Sequence, residues 1–196
     1  MSDPLFDTGD GNTPIEDDEA EWLRLSWVRT RGDLNEAEAA NIAAARRAIR
    51  PPSVDDVFDD LWLRRLHQRI FGDVWSWAGT YRLSERNIGI DWTEIPPAVR
   101  ALVQDCRTWV SFDRTELPVA RFHHRLVAIH PFPNGNGRHA RAAADYLAQA
   151  LDLPAPTWGA NSFHNTKDLR AAYLGALRTA DRNRDDLEPL IHFMWS

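Results

Sequence analysis

One short run of the chain fixes how two helices must be joined. It reads His130-Pro131-Phe132-Pro133-Asn134-Gly135-Asn136-Gly137-Arg138-His139-Ala140-Arg141. Proline ends helices and glycine permits the backbone angles of a tight turn, so a continuous helix through the run is excluded. We therefore expect one helix to end just before Pro131 and another to begin near Arg138, with a loop between them.

The residues of this run are those of a phosphate site. Glycines on both sides of an asparagine let backbone N–H groups converge on an anion, and the positive end of the following helix dipole adds to the same spot. Arg138 and Arg141 are three residues apart, which predicts that both guanidinium groups lie on one face of that helix. His130 stands beside them, and an imidazole near its ordinary pKa can accept a proton at neutral pH.

The run resembles the signature of the Fic family, written HPFx(D/E)GNGRxxR, and departs from it at the acidic position, where Asn134 stands. Flanking segments resemble the same family. Residues 75–82 are similar to the tryptophan-rich segment before the Fic flap, residues 86–90 to the flap itself, and residues 173–177 to a late helix. The resemblance extends from about Leu34 to the C-terminus, and it is closest to the branch called mobile mystery protein B.

This resemblance implies transfer of AMP from ATP to a hydroxyl side chain of a protein. By position, His130 matches the general base that activates the hydroxyl, and Phe132 matches the residue that anchors the loop in the core. Three residues match the anion hole for the α- and β-phosphates, namely Gly135, Asn136 and Gly137. Arg138 matches the contact to the β-phosphate. Arg141 matches the arginine that holds the γ-phosphate or pairs with an inhibitory glutamate.

Two positions carry alternative interpretations. Enzymes that follow the Fic pattern have at position 134 a carboxylate that binds Mg²⁺, a hard cation usually held by carboxylates and phosphate oxygens. Asn134 offers an uncharged carbonyl, so it is either a weakened Mg²⁺ ligand or a turn residue after Pro133. Tyr173 resembles residues beside the nucleotide base, and it is either a nucleotide contact or a core residue.

Many Fic proteins are restrained by a helix of the pattern (S/T)xxxE(G/N), whose glutamate pairs with the second arginine of the signature. No segment of the sequence matches this pattern fully. The nearest counterpart lies in the first predicted helix, where we expect Glu38 to reach Arg141 if that helix packs over the site, with Glu36 as the second choice. The alternatives are a solvated helix face and inhibition by a separate antitoxin-like partner of the helix-turn-helix type.

Apolar residues recur at helical spacing along most of the chain, which predicts an all-α fold. Together with the resemblance, this predicts a helical bundle around a central helix pair with a small β-hairpin flap. The predicted helices span residues 34–50, 53–71, 95–112, 117–129, 138–151, 167–180 and 186–195. Residues 80–92 carry β-branched and aromatic side chains around a turn signal, and they are the expected flap. The resemblance implies that the flap binds the target protein by β-strand addition.

Charge divides the chain into a tail and one domain. The net charge is −6, and the first 21 residues hold eight acids and no lysine or arginine, which leaves 23 basic and 21 acidic residues in 22–196. We therefore expect an acidic, mobile tail over residues 1–21 and a single Fic domain over residues 22–196. The nearly neutral domain indicates no direct nucleic-acid binding.

Cysteine usage and hydropathy indicate the compartment. Cys106 is the single cysteine, so no disulfide can form within the chain, which is typical of a reducing compartment. The sequence contains no recognisable signal peptide and no apolar run long enough to cross a membrane. We therefore expect cytoplasmic residence.

Three functions remain open at this point. The first is a protein adenylyltransferase (AMPylator) that uses ATP and Mg²⁺. The second is a Fic-type enzyme that moves another nucleotide or phosphate group, or removes AMP, and Asn134 is the motive for considering it. The third is a catalytically silent module that binds a nucleotide or a partner in a toxin–antitoxin-like pair. A silent module has no need of a base at His130, which argues against the third.

Overall fold

The structure, a computed structural model, describes residues 21–28, 30–163 and 165–196. This part of the chain is all-helical, as the sequence predicts, and contains no β-strand beyond an isolated antiparallel bridge between Leu23 and Trp75. The predicted acidic tail, apart from Glu21, lies outside the described residues. No helix of the described part combines the length and the apolar character needed to cross a membrane.

The α-helices of the described residues are numbered in chain order. They are α1 Arg31–Ala48, α2 Val54–Val57, α3 Asp60–Phe71, α4 Ile95–Phe112, α5 Glu116–Ile129, α6 Asn136–Ala150, α7 Thr166–Arg182 and α8 Glu188–Trp195, and a 3-10 turn, Trp92–Glu94, precedes α4. The helix predicted over 53–71 is divided in two. Asp59 is the reason, because its carboxylate accepts the N–H of Leu61 at 3.0 Å and so caps a new helix.

Local capping explains where several other helices begin. Thr30 forms a capping box with Asp33 before α1, and Ser53 forms one with Asp56 before α2. Prolines occupy the first turn of α4, where a helix requires no backbone N–H. These starts are set by neighbouring residues, so they could be read from the sequence.

The centre of the molecule is the pair α5 and α6. The two helices pack against each other, and α6 also contacts α2 and α3, while α1 packs on α3 and α4 packs on α5. Small side chains let the neighbouring helices approach α6 closely; the buried ones are Ala140, Ala142, Ala143, Ala144 and Ala148. The loop between α5 and α6, residues 130–135, is called here the signature loop.

Residues 80–92 form an irregular segment up to the 3-10 turn, and not the predicted β-hairpin. The side chain of Arg82 holds the segment together. Its guanidinium donates to the carbonyl of Ser84 at 2.9 Å and to the carbonyl of Ile90. A buried guanidinium thus links the two limbs, where a hairpin would use a ladder of backbone hydrogen bonds.

Candidate active site

His130 ends helix α5 in a left-handed conformation, with φ 54° and ψ 59°. Few residues other than glycine adopt this region, although histidine does so more often than most. The conformation turns the chain out of the helix into Pro131. Arg82 fixes the turn, because its Nε donates to the carbonyl of His130 at 2.8 Å and its backbone N–H donates to the carbonyl of Pro131 at 3.0 Å.

The environment of His130 keeps its imidazole neutral. The residue is only 5 % exposed. Burial, and then the positive charge of Arg82, lower the pKa of His130 from 6.5 to about 4. At neutral pH the ring is therefore in the form that can accept a proton, as a general base requires.

Gly89 lies directly against this histidine. Its φ is +106°, and an added Cβ would stand 2.7 Å from Cβ of His130 and 2.8 Å from Nη2 of Arg82. Both the backbone angle and the missing space require glycine. The segment 80–92 therefore covers the candidate base through its backbone.

The side chain of Asn136 clamps the signature loop. Its Oδ1 accepts the N–H of Phe132 at 2.8 Å, and its Nδ2 donates to the carbonyl of Phe132 at 2.7 Å. Phe132 itself is fully buried and stacks on the ring of His67, with the two centroids 3.8 Å apart. The Asn136 side chain thus shapes the loop, and only its backbone N–H is left to contact an anion.

His67 is a second support of the loop that the sequence analysis missed. Its Nδ1 accepts the N–H of Gly79 at 3.0 Å, so the proton of the neutral ring must lie on Nε2. That Nε2–H donates to the carbonyl of Asn134 at 3.1 Å. Burial holds the pKa of His67 well below its usual range, which preserves this arrangement at neutral pH.

Gly135 shapes the start of α6. Gly135 precedes the helix with a φ of +75°, and an added Cβ there would lie 2.5 Å from Cε2 of Phe71. As the N-cap residue, Gly135 has no side chain that could cap α6. The first N–H groups of a helix have no acceptor within it, so those of Asn136, Gly137 and Arg138 are oriented towards the space before the helix.

Glu38 reaches the site, but at a different arginine from the one predicted. Its Oε2 lies 2.7 Å from Nη2 of Arg138, and its Oε1 accepts the indole N–H of Trp75 at 2.8 Å. The expected partner was Arg141. Helix α1 packs on α3, and Arg138 also lies over the ring of Phe71 at the end of α3, so Arg138 is the arginine within reach of α1.

Arg138 and Arg141 contact different neighbours, and their expected position on one face of α6 stays a prediction. The guanidinium of Arg138 contacts Glu38 and Phe71. The guanidinium of Arg141 is 6.0 Å from the ring centroid of Trp158, in the connection between α6 and α7. The two positions lie about 60° apart around α6 and almost one turn apart along it, so the two long side chains can contact different neighbours.

A comparison with protein families shows to which family this part of the chain belongs. Residues 57–148 match the model of the Fic/DOC family. The chain contains a Fic domain. The match includes the whole run from His130 to Arg141 and the helices that support it. Assignment to the mobile mystery protein B branch stays a prediction.

The chain is similar to several known proteins. It is 26 % identical over 148 residues to the protein adenylyltransferase fic-1 of Caenorhabditis elegans, an alignment that covers 72 % of this chain and 26 % of that protein. It is 44 % identical over 62 residues to a uridine 5′-monophosphate transferase of Xanthomonas campestris, which covers 31 % of this chain and 11 % of that protein. The chain thus spans about a quarter or less of the length of these curated relatives.

A solved structure shows the same fold. The BepC protein of Bartonella tribocorum, with bound AMPPNP, superposes with a TM-score of 0.66 at 17 % identity, and the alignment covers 91 % of this chain and 96 % of that one. At this level of identity the likeness concerns the fold.

Two predicted Fic site residues have other partners in the structure. Tyr173 is 1 % exposed, and its hydroxyl bonds to Nε2 of His123 at 3.0 Å, so its ring offers no open surface to a nucleotide base. Asn134 uses its Oδ1 to accept the N–H of Gly135 at 2.6 Å. Both contacts agree with the structural alternatives left open for these residues.

Arg82, like His67, is a supporting residue of the Fic site that sequence reasoning failed to single out. It is 2 % exposed, although arginine is rarely so buried without partners. Its position next to Tyr81, at the end of the tryptophan-rich segment, was the signal available in the sequence. Nothing local indicated that its guanidinium would cross to the carbonyl of His130.

Proposed function

We propose that the chain is a protein adenylyltransferase, which transfers AMP from ATP to a hydroxyl side chain of another protein. One observation carries the proposal: only the signature loop separates a neutral, buried His130 from the start of α6, and Asn136 of α6 clamps this loop at Phe132. A base beside a phosphate site is what nucleotidyl transfer to a hydroxyl requires. The activity named for fic-1 and the AMPPNP bound by BepC support the same function.

Each group of the site has one task in this reaction. The hydroxyl oxygen of the target attacks the α-phosphorus of ATP, the bond from this phosphorus to the bridging oxygen breaks, and pyrophosphate leaves. His130 accepts the proton of the hydroxyl. The first N–H groups of α6 and the guanidinium of Arg138 stabilise the charge on the phosphate oxygens.

The described conformation is a closed one, from which we infer restraint by Glu38. His130 and Arg141 are almost completely buried, and Arg138 is already paired with a carboxylate. A nucleotide phosphate would have to replace Glu38 at Arg138. This competition makes Glu38 an internal inhibitor, and a separate antitoxin-like partner stays a prediction.

The residues present do not fit a resident Mg²⁺ ion. The Oδ1 of Asn134 is engaged with the N–H of Gly135, and the described residues contain no group of three or more His, Cys, Asp or Glu that could hold a metal. Any Mg²⁺ would rest mainly on the phosphate oxygens of the nucleotide. The proposed steps therefore use only groups of the protein.

The target protein is proposed to bind along residues 80–92. The backbone of this segment lies against His130 at Gly89. The segment also exposes three large apolar side chains, those of Leu83, Ile88 and Trp92. Exposed apolar groups of this size are typical of binding surfaces. A target chain held there would bring its hydroxyl towards the base.

Transfer of UMP is the second candidate. The relative with the higher identity over its aligned residues is named a uridine 5′-monophosphate transferase, and Asn134 departs from the Fic pattern. The same base and phosphate site would serve either nucleotide, because their phosphates are identical.

A labelling experiment separates these functions. Purified protein is incubated with a cell lysate and either α-³²P-ATP or α-³²P-UTP, for wild type, Glu38→Gln and His130→Ala. Label from ATP that is lost in His130→Ala and increased in Glu38→Gln is the expected result. An exposed histidine on α8 gives the matched control His192→Ala, which should label like wild type. Label from UTP alone would replace the first candidate by the second. No label from either nucleotide, with the fold intact, would contradict both.

A further inference from the structure

Trp158 has a backbone conformation that bulky residues rarely adopt. Its φ is +55°, and the following Gly159 has a φ of +74°. The N–H groups of Thr157 and Trp158 both donate to the carbonyl of Met194, at 2.7 and 3.0 Å. Surroundings must hold such a residue in place, and strain of this kind often accompanies a functional site.

Asp145 fixes the orientation of the Trp158 ring. Its Oδ1 accepts the indole N–H at 2.8 Å, and its Oδ2 lies 2.8 Å from Nη2 of Arg46 on α1. Both carboxylate oxygens therefore have partners. Asp145 holds the polar edge of the indole, and the carbonyl of Met194 holds the backbone of Trp158. The face of the ring therefore has a defined position.

That face lies next to Arg141, the second arginine of the signature. Arg141 is 6 % exposed, its guanidinium carbon is 6.0 Å from the Trp158 centroid, and Asp145 follows it by four residues on α6. Side chains four apart on a helix are neighbours, so the carboxylate also attracts the guanidinium. An aromatic face within this distance attracts a guanidinium as well.

We propose that Trp158 and Asp145 are positioning residues that set Arg141 for contact with the outermost phosphate of a nucleotide. The proposal rests on the proposed function, because it assigns Arg141 to a nucleoside triphosphate. Arg141 lies almost one turn beyond Arg138 along α6, so the two guanidinium groups can reach different phosphates of one chain. The side-chain neighbours of the Trp158 ring include Arg141, Asp145 and His123. Among these neighbours Arg141 belongs to the signature, so Trp158 acts on the site through Arg141.

The first arm of the test follows Arg141 without any nucleotide. The Nε–Hε signal of Arg141 is recorded by NMR in ¹⁵N-labelled protein and is identified by its loss in Arg141→Ala. Trp158→Leu should move this signal, because the ring current of the indole is removed. Trp109→Leu is the matched control, since Trp109 lies under Arg121 and Arg125 instead. An unchanged Arg141 signal in folded Trp158→Leu overturns the proposal.

The second arm measures the affinities for ATP and ADP by calorimetry. Trp158→Leu should weaken ATP binding by about tenfold, the size of a cation–π contact, and leave ADP binding unchanged. The loss should vanish in the background of Arg141→Ala, as expected if both residues act through one contact. Asp145→Asn, which keeps an acceptor for the indole, should lose less than Asp145→Ala. Equal losses for ATP and ADP would show a general structural role and overturn the proposal.

The two arms separate failure of this inference from failure of the proposed function. A wild-type protein that binds neither nucleotide, while Trp158→Leu still shifts the Arg141 signal, would overturn the phosphate assignment of Arg141 and the proposed function together. Selective loss of ATP affinity with a shifted signal supports both. If Trp158→Leu or Asp145→Ala does not fold, Trp158→Phe and Asp145→Asn replace them in both arms, since each keeps most of the original side-chain shape.

Discussion

Replacing Glu38 by glutamine tests the restraint of the site with the least change of shape. A glutamine carbonyl can still accept the indole N–H of Trp75, which bonds to Oε1 of Glu38 at 2.8 Å. The substitution removes the negative charge that holds Nη2 of Arg138 at 2.7 Å. It therefore separates the ion pair from the packing of a buried side chain.

The burial of the Glu38–Arg138 ion pair determines how much stability and ATP affinity should change. The side chains of Glu38 and Arg138 are 2 % and 12 % exposed, so solvent screens their attraction only weakly. A hydrogen bond to a charged partner contributes about 1.5–3 kcal/mol, and a weaker bond to the amide remains, so the free energy of unfolding should fall by about 1–2 kcal/mol. In the variant, ATP no longer has to displace a carboxylate from Arg138. If this saves about 2 kcal/mol, ATP should bind about 30-fold more tightly.

Calorimetric titration with ATP, beside urea unfolding, measures both quantities. Glu36→Gln is the matched control, because Glu36 lies exposed on the same helix and should change neither. Lower stability together with higher affinity is the expected combination. An ATP affinity that stays the same or falls in folded Glu38→Gln would refute the reasoning, since Glu38 would then support only the fold.

Three other predictions follow from the same structure. Burial lowers the pKa of His130 and of His139 from 6.5 to about 4. Below pH 6.5 the unfolded chain binds protons that the folded chain does not, so the stability present above this pH falls towards pH 4, by up to about 1.4 kcal/mol per pH unit for each histidine. Urea unfolding at about pH 7 and pH 5 checks this, and equal midpoints would contradict it. Gly89→Ala should destabilise by about 1–2 kcal/mol because of its positive φ and the contact with His130. Urea unfolding measures this loss, and Gly175→Ala, whose Cβ meets nothing within 4 Å, is the control that should be neutral or stabilising. Asn134→Asp adds the carboxylate of the Fic pattern and should raise the Mg²⁺ dependence of ATP binding, measured by titration with and without Mg²⁺. No difference from wild type would show that the side chain at position 134 does not contact the Mg²⁺ ion.

The signature loop could be predicted because its determinants are local. Proline ends α5, Gly135 permits the left-handed turn into α6, and the order of histidine, glycines and arginines lies within one loop and the first two turns of α6. Capping residues such as Ser53 act on N–H groups two or three residues away. These effects need no knowledge of the rest of the chain, so the all-α fold and most helix boundaries were also accessible.

The predictions from sequence were wrong where contacts between distant residues decide the structure. The segment 80–92 has the composition of a hairpin, but the guanidinium of Arg82 binds its carbonyls, and this buried guanidinium cannot be recognised from propensity. Glu38 was predicted at Arg141 and lies at Arg138, because the packing of α1 on α3 decides which arginine is within reach.

The sequence by itself determined the order of the candidate groups: a histidine, a glycine-containing loop and two arginines, from the end of α5 into the first turns of α6. Tertiary structure alone decided how these groups are held, with His67 on the carbonyl of Asn134, Glu38 on Arg138 and Trp158 beside Arg141. The physical reason is that backbone preferences and caps act over a few residues. The pairing of buried charges depends on which helices pack together, and a helical glutamate has the same sequence signal whether it is solvated or buried.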